Sequence, residues 1–168
     1  RPQFYGSGKA DVVERFIVLD TSRSMAYRSA DQKTPLESGR KFVSELLTRS
    51  RAGDRTAVLL TNSRTQILTS LTDDLESALP AVERAATGIA GTDLNTALAT
   101  VQSILPQCRE DARIELYFVT DNHQQSWSPA EVQAFVTAAK RPVQVQIVQV
   151  GVMSPKNAWI ADAQVRPG

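Results

Sequence analysis

Five side chains that end in oxygen fall where the chain leaves its most apolar runs or enters a new helix. They are Asp20, Ser22 and Ser24 in the string Asp20-Thr21-Ser22-Arg23-Ser24, Thr92 in Gly91-Thr92-Asp93, and Asp121 in Thr120-Asp121. Oxygen-only ligands suit a hard cation. A small set with few carboxylates and room for water suits Mg²⁺ in octahedral geometry at about 2.0–2.1 Å, with Mn²⁺ or Ca²⁺ as alternatives. Three of the five groups are neutral hydroxyls, so such an ion would keep much of its charge and attract an anion from outside. An Asp or Glu of a partner protein would fill an open coordination position. These residues therefore suggest a metal-bridged protein-binding surface rather than a storage site.

That chemistry requires the segments to end at one edge of one sheet. Residues 12–20, VVERFIVLD, form an apolar, partly β-branched run ending on a carboxylate, the pattern of a buried central strand. Thr34-Pro35-Leu36-Glu37 carries a cap, a proline at the first helical position and a glutamate three residues after the cap, and predicts a helix over about 35–50. Thr56–Leu60 reads as a second buried strand. The turn Asn62-Ser63-Arg64 leads into Thr65–Leu68, a short antiparallel edge segment. Residues 72–86 show helical spacing interrupted by Pro80, which predicts a kinked or restarted helix.

Leu94, Ala97, Leu98, Val101, Ile104 and Leu105 mark one face of an amphipathic helix. Ile114–Thr120 is a further buried strand, Ser128-Pro129-Ala130-Glu131 caps a helix running to about Lys140, and Val143–Val150 is another strand. Ile160–Val165 is expected to be a last one. Strands alternating with helices predict an open, doubly wound α/β fold, a mainly parallel sheet covered on both faces. Ligands of such sheets bind at the carboxyl ends of the strands where the strand order reverses, and that is where all five oxygen ligands are expected.

Composition narrows the alternatives. The 168 residues, 42% hydrophobic and 22% charged, correspond to one globular domain, which we place at 12–168 behind a tail at 1–11. A net charge of +1 supplies no one-sided field for nucleic acid or an anionic membrane. One cysteine, Cys108, and one histidine, His123, are too few for a zinc cluster or an internal disulfide. No apolar stretch reaches the roughly 18 residues of a membrane-spanning helix. The start at Arg1-Pro2 suggests a piece of a longer protein.

The string Asp20-x-Ser22-x-Ser24, followed by Thr92 and then Asp121, resembles the metal-ion-dependent adhesion site of von Willebrand factor type A domains, with all five motif positions present. The resemblance spans residues 12–151 and implies a Rossmann-like fold. It also implies a divalent ion held directly by Ser22, Ser24 and often Thr92, with Asp20 and Asp121 acting mostly through water. The family's work is adhesion, complex assembly and sensing, generally without catalysis. Asn122 stands where many members have glycine, and Asn tolerates a left-handed backbone better than most residues. His123-Gln124-Gln125, Trp127 and the Arg1-Pro2 start are similar to a bacterial, membrane-anchored subgroup related to the aerotolerance (Bat-type) proteins. That resemblance implies a membrane-anchored parent with this domain on the extracytoplasmic face.

Rival readings meet specific obstacles. A Mg²⁺-dependent phosphotransferase of the haloacid-dehalogenase type would use Asp20 as nucleophile but needs an acid two residues on, where Ser22 stands. A serine hydrolase would have only His123 as base and no Gly-x-Ser-x-Gly elbow. A metal-independent interaction scaffold is the remaining alternative. Gly6-Ser7-Gly8-Lys9 lacks the rest of a phosphate loop. Cys108 reads as a buried filler, Asp73-Asp74 as the acidic start of a helix, and Trp127 as a staple ahead of the Ser128 cap.

Overall fold

The computed structural model describes residues 12–28, 32–121 and 128–151. The tail, the segment from Asn122 to Trp127 and the expected strand Ile160–Val165 lie outside them. Five strands form one sheet in the order β3-β2-β1-β4-β5. They are β1 Val13–Asp20, β2 Arg55–Thr61, β3 Thr65–Thr72, β4 Arg113–Thr120 and β5 Val143–Gln149. β1 pairs in parallel with both β2 and β4, β4 pairs in parallel with β5, and β3 runs antiparallel to β2 at the edge. The expected doubly wound fold is present.

Strand periodicity divides the core. Phe16 and Val18 of β1, with Ala57, Leu59, Leu116 and Phe118, face the helices α3 Leu94–Ile104 and α4 Pro129–Ala138. Ile17 and Leu19, with Val58 and Val119, face α1 Pro35–Thr48 and the short α2 Leu79–Glu83. Side chains alternate across a strand, so one apolar run serves two layers. This is why β1 and β4 are almost wholly buried.

Both capping boxes form. In the first, Glu37 N–H donates to Thr34 Oγ1 at 3.1 Å while Thr34 N–H donates to the Glu37 carboxylate at 2.8 Å. Ser128 and Glu131 repeat the arrangement at 3.2 Å in both directions. Thr34→Ala is expected to lower unfolding free energy by about 1 kcal/mol, read from urea denaturation. An unchanged midpoint would show that Pro35 alone fixes the helix start.

Three expectations are corrected. Residues 72–86 do not form a kinked helix: β3 continues to Thr72, and only Leu79–Glu83 is helical. Between them Asp74 accepts from Ser77 N–H at 3.3 Å, and Ser77 Oγ donates to the Asp74 carbonyl at 2.9 Å, a local turn that competes with helix. Asp73-Asp74 therefore precede a turn and not a helix. β3 is also longer than Thr65–Leu68, because its Thr and Ser residues suit an edge strand with a wet outer face. Val58 N–H donates to Thr69 Oγ1 at 3.1 Å at a register shift in the β2–β3 pairing.

Polar residues at the amino end of the sheet form a buried ionic network. Glu14, fully buried, accepts from Arg109 Nε at 2.8 Å, from Arg109 N–H at 3.1 Å and from the Arg55 guanidinium. On the other face Arg15 bridges Asp54 and Glu115, each at 2.9 Å. Burial would raise the Glu14 carboxyl, but bonds from Arg109, Arg55 and Cys108 hold it below its ordinary 4.5. Asp54 is likewise below 3.8, burial being outweighed by bonds from the Arg51 and Val13 backbone and from Arg15. Cys108 is the buried filler expected, and burial beside Glu14 pushes its thiol up to about 12.

Candidate cation site at the carboxyl edge of the sheet

Asp20 ends β1 at the switch point between β2 and β4, and is 1% exposed. A carboxylate so buried must find donors, and three are in place. Ser22 N–H donates to Asp20 Oδ1 at 2.8 Å, Thr92 Oγ1 donates to the same oxygen at 2.5 Å, and Thr120 Oγ1 donates to Oδ2 at 2.8 Å. One carboxylate thus joins the end of β1, the loop before α3 and the end of β4.

Ser22 and Ser24 lie on a turn that Met25 pins to the core. Met25 is fully buried, its N–H donates to the Ser22 carbonyl at 3.1 Å, and residues 23–26 form a single 3₁₀ turn. This brings Ser22 Oγ and Ser24 Oγ to 3.1 Å from each other. Ser22 is buried and Ser24 and Thr92 are half-buried.

Thr92 is held from the following residue. Asp93 caps α3, accepting from Asn95 N–H at 3.0 Å, Thr96 N–H at 3.2 Å and Thr96 Oγ1 at 2.7 Å. The Thr96 hydroxyl bond, with the backbone bonds from Thr96 and Asn95, outweighs burial and keeps that carboxyl below its ordinary 3.8. Asp93 N–H also donates to the Asn62 carbonyl at 2.8 Å, and Thr61 Oγ1 to the Asp93 carbonyl at 3.2 Å.

Asp121 follows Thr120 directly, half-buried beyond the end of β4. Its Oδ1 is buried without a hydrogen-bond partner among the described residues. Asp20, Ser22, Ser24 and Thr92 are therefore joined by direct contacts, while Asp121 is adjacent through Thr120 and keeps an unused buried oxygen. The sequence reading missed Thr120, whose hydroxyl is the second clamp on Asp20. No local signal marks it, because the bond depends on β4 lying beside β1.

The donor set suits a hard divalent cation. All its atoms are oxygens, one buried carboxylate oxygen is unpartnered, and the Thr92 hydroxyl, in donating to Asp20, leaves its lone pairs free. No group of three or more His, Cys, Asp or Glu that could hold a metal comes together among the described residues, so a cation here would depend on the hydroxyls.

The sequence pattern of the von Willebrand factor type A domain matches residues 16–124, and the chain belongs to that family. Among solved structures, it is similar to an aerotolerance-related membrane protein from Bacteroides fragilis NCTC 9343, with 21% identity, a TM-score of 0.74 and coverage of 91% of this chain and 75% of that one. It is similar to BatB from Bacteroides thetaiotaomicron, with 20% identity, a TM-score of 0.70 and coverage of 86% and 74%. It is also similar to the manganese-loaded TRAP protein of Plasmodium vivax, with 24% identity, a TM-score of 0.65 and coverage of 84% and 58%. At these identities the likeness establishes the fold. No curated protein matches the sequence. Among the described residues no helix is long and apolar enough to cross a membrane.

Proposed function

We propose that this domain binds a partner protein through a divalent cation at the carboxyl edge of its sheet, with an Asp or Glu of the partner completing the coordination. The observation that carries this reading is the Asp20 clamp, which draws Ser22, Ser24 and Thr92 around one buried carboxylate, while Asp121, one residue past the clamping Thr120, keeps an unpartnered buried oxygen. Ser22, Ser24 and Thr92 would hold the ion directly, and Asp20 and Asp121 would act through water. Mg²⁺ is the ion proposed, with Mn²⁺ or Ca²⁺ able to replace it. When bound, the ion supplies a concentrated positive charge that neutral hydroxyls leave largely unquenched.

This chain's own residues do the positioning. The Asp20 clamp fixes the serine turn, and the α3 cap fixes Thr92. The manganese-loaded state of the Plasmodium TRAP protein supports a divalent cation in a domain of this fold, and the likeness to an aerotolerance-related membrane protein supports a role at a bacterial membrane. Isothermal titration with MgCl₂ and with MnCl₂ is expected to show saturable binding, weakened about tenfold or more in Ser22→Ala. No binding to the wild type, or equal affinity in the variant, would overturn the reading.

A further inference from the structure

Three loops meet around the candidate site and are bonded to one another. Thr21 N–H donates to the Thr61 carbonyl at 2.7 Å, Gly88 N–H to the Thr21 carbonyl at 2.7 Å, Arg23 N–H to the Ala90 carbonyl at 3.0 Å, and Asp93 N–H to the Asn62 carbonyl at 2.8 Å. Residues 21–28, 62–64 and 84–92 thus form one fixed rim. Between the two anchored residues Gly88 and Ala90 stands Ile89, 95% exposed. A large aliphatic side chain held in water between two backbone anchors meets a partner without its loop having to be ordered first, which lowers the entropy cost of burying it.

The charge of the rim is as uneven as its apolar content. Residues 21–28, 62–64 and 84–92 contain Arg23, Arg28, Arg64 and Arg84, all exposed, and no Asp or Glu. The whole chain has a net charge of only +1. Asp93 at the end of the third loop is turned into α3, Asp20 is buried within its clamp and Asp121 is half-buried. Glu37 lies beside Arg28 and the exposed Glu83 directly precedes Arg84, so Arg23 and Arg64 carry the unopposed charge. Arginine around an apolar anchor is the composition of a protein-binding surface.

We infer that this rim docks an acidic protein segment in which an apolar side chain neighbours the site-directed carboxylate, with Ile89 as the apolar anchor and the rim arginines, Arg23 and Arg64 foremost, supplying the complementary field. The direction given to that carboxylate rests on the cation-bridged reading above; the anchor and the field do not. An exposed isoleucine selects an apolar neighbour over the phosphate backbone of a nucleic acid, which offers none.

A random peptide library displayed on phage and selected on the wild-type domain in Mg²⁺ tests this. Enriched sequences are expected to pair Asp or Glu with an adjacent Leu, Ile, Val, Met or Phe. A synthetic consensus peptide should bind Ile89→Ser about tenfold more weakly, since burying the side chain is worth at least that factor. Arg64→Gln should reduce the salt dependence of binding. Both variants should bind Mg²⁺ like the wild type, and unchanged thermal unfolding would show them folded. Failure to enrich that pairing, wild-type affinity in Ile89→Ser, or competition by a short random DNA duplex independent of Ile89 would overturn the inference. Peptide binding that ignores EDTA yet falls in Ile89→Ser would uphold the rim and sink the cation-bridged reading alone.

Discussion

Asp20→Ala is expected to abolish measurable Mg²⁺ binding and to lower the unfolding free energy by about 3 kcal/mol, while Asp20→Asn should abolish binding but cost within about 1 kcal/mol. The difference lies in what each variant does to the clamp. Alanine removes the acceptor for Ser22 N–H and for the hydroxyls of Thr92 and Thr120, in a place where Ser22 and Thr120 are almost fully buried. Asparagine keeps an oxygen for Ser22 N–H and presents an NH₂ toward a hydroxyl, which can rotate to accept. It also escapes the desolvation cost of a buried charge. Urea denaturation alongside titration with MgCl₂ separates the two effects. Retention of Mg²⁺ affinity by Asp20→Asn would show that the carboxylate charge has no part in holding the ion.

Glu14→Ala should cost about 3 kcal/mol or more, because it leaves the Arg55 and Arg109 guanidiniums and the Arg109 N–H without their shared acceptor. Arg113→Ala, at the exposed end of the Arg15–Glu115 group on the other face, should cost under about 1 kcal/mol. The pH dependence follows from the same contacts. The Glu14 and Asp54 carboxyls lie below their ordinary values in the folded chain, so the unfolded chain binds more protons as pH falls. The stability these groups contribute is fully present above those ordinary values and is lost as pH drops through the folded ones, starting from about pH 5. Urea midpoints measured downward from neutral pH should fall in the wild type and fall less steeply in Glu14→Gln. An equally steep decline in that variant would assign the acid sensitivity elsewhere.

The parts of the fold that were legible in sequence are those where one pattern had no competitor. β1 and β4 read as buried runs because both faces are covered, and α1 and α4 announced themselves through reciprocal caps. The stretch 72–86 misled because Leu75, Leu79 and Val82 keep helical spacing, and each does pack on the core, although only a five-residue helix is present. Asp74 and Pro80 decided the outcome locally. At the site, strand ends could be located from sequence, so Asp20, Thr92 and Asp121 could be placed at one edge. The Thr120 clamp could not, since it depends on β4 lying beside β1, a contact 100 residues apart. The ionic network was equally out of reach. Glu14 and Arg15 stand conspicuously inside an apolar strand, but their partners Asp54, Arg55, Arg109 and Glu115 are spread over the chain.

β1 has a polar centre at each end, the Glu14–Arg15 network and the Asp20 clamp, with about 20 Å of extended chain from Glu14 to Asp20. Parallel ladders run along both of its sides. A pull between the start of this strand and a partner held at Asp20 would therefore load the flanking hydrogen bonds together, in shear, and not peel them apart one after another. The ends of the strand are also where its charged and hydroxyl contacts concentrate, so slippage would have to break both anchors at once. The strand is thus arranged to carry tension from the base of the sheet to the edge where the cation is proposed.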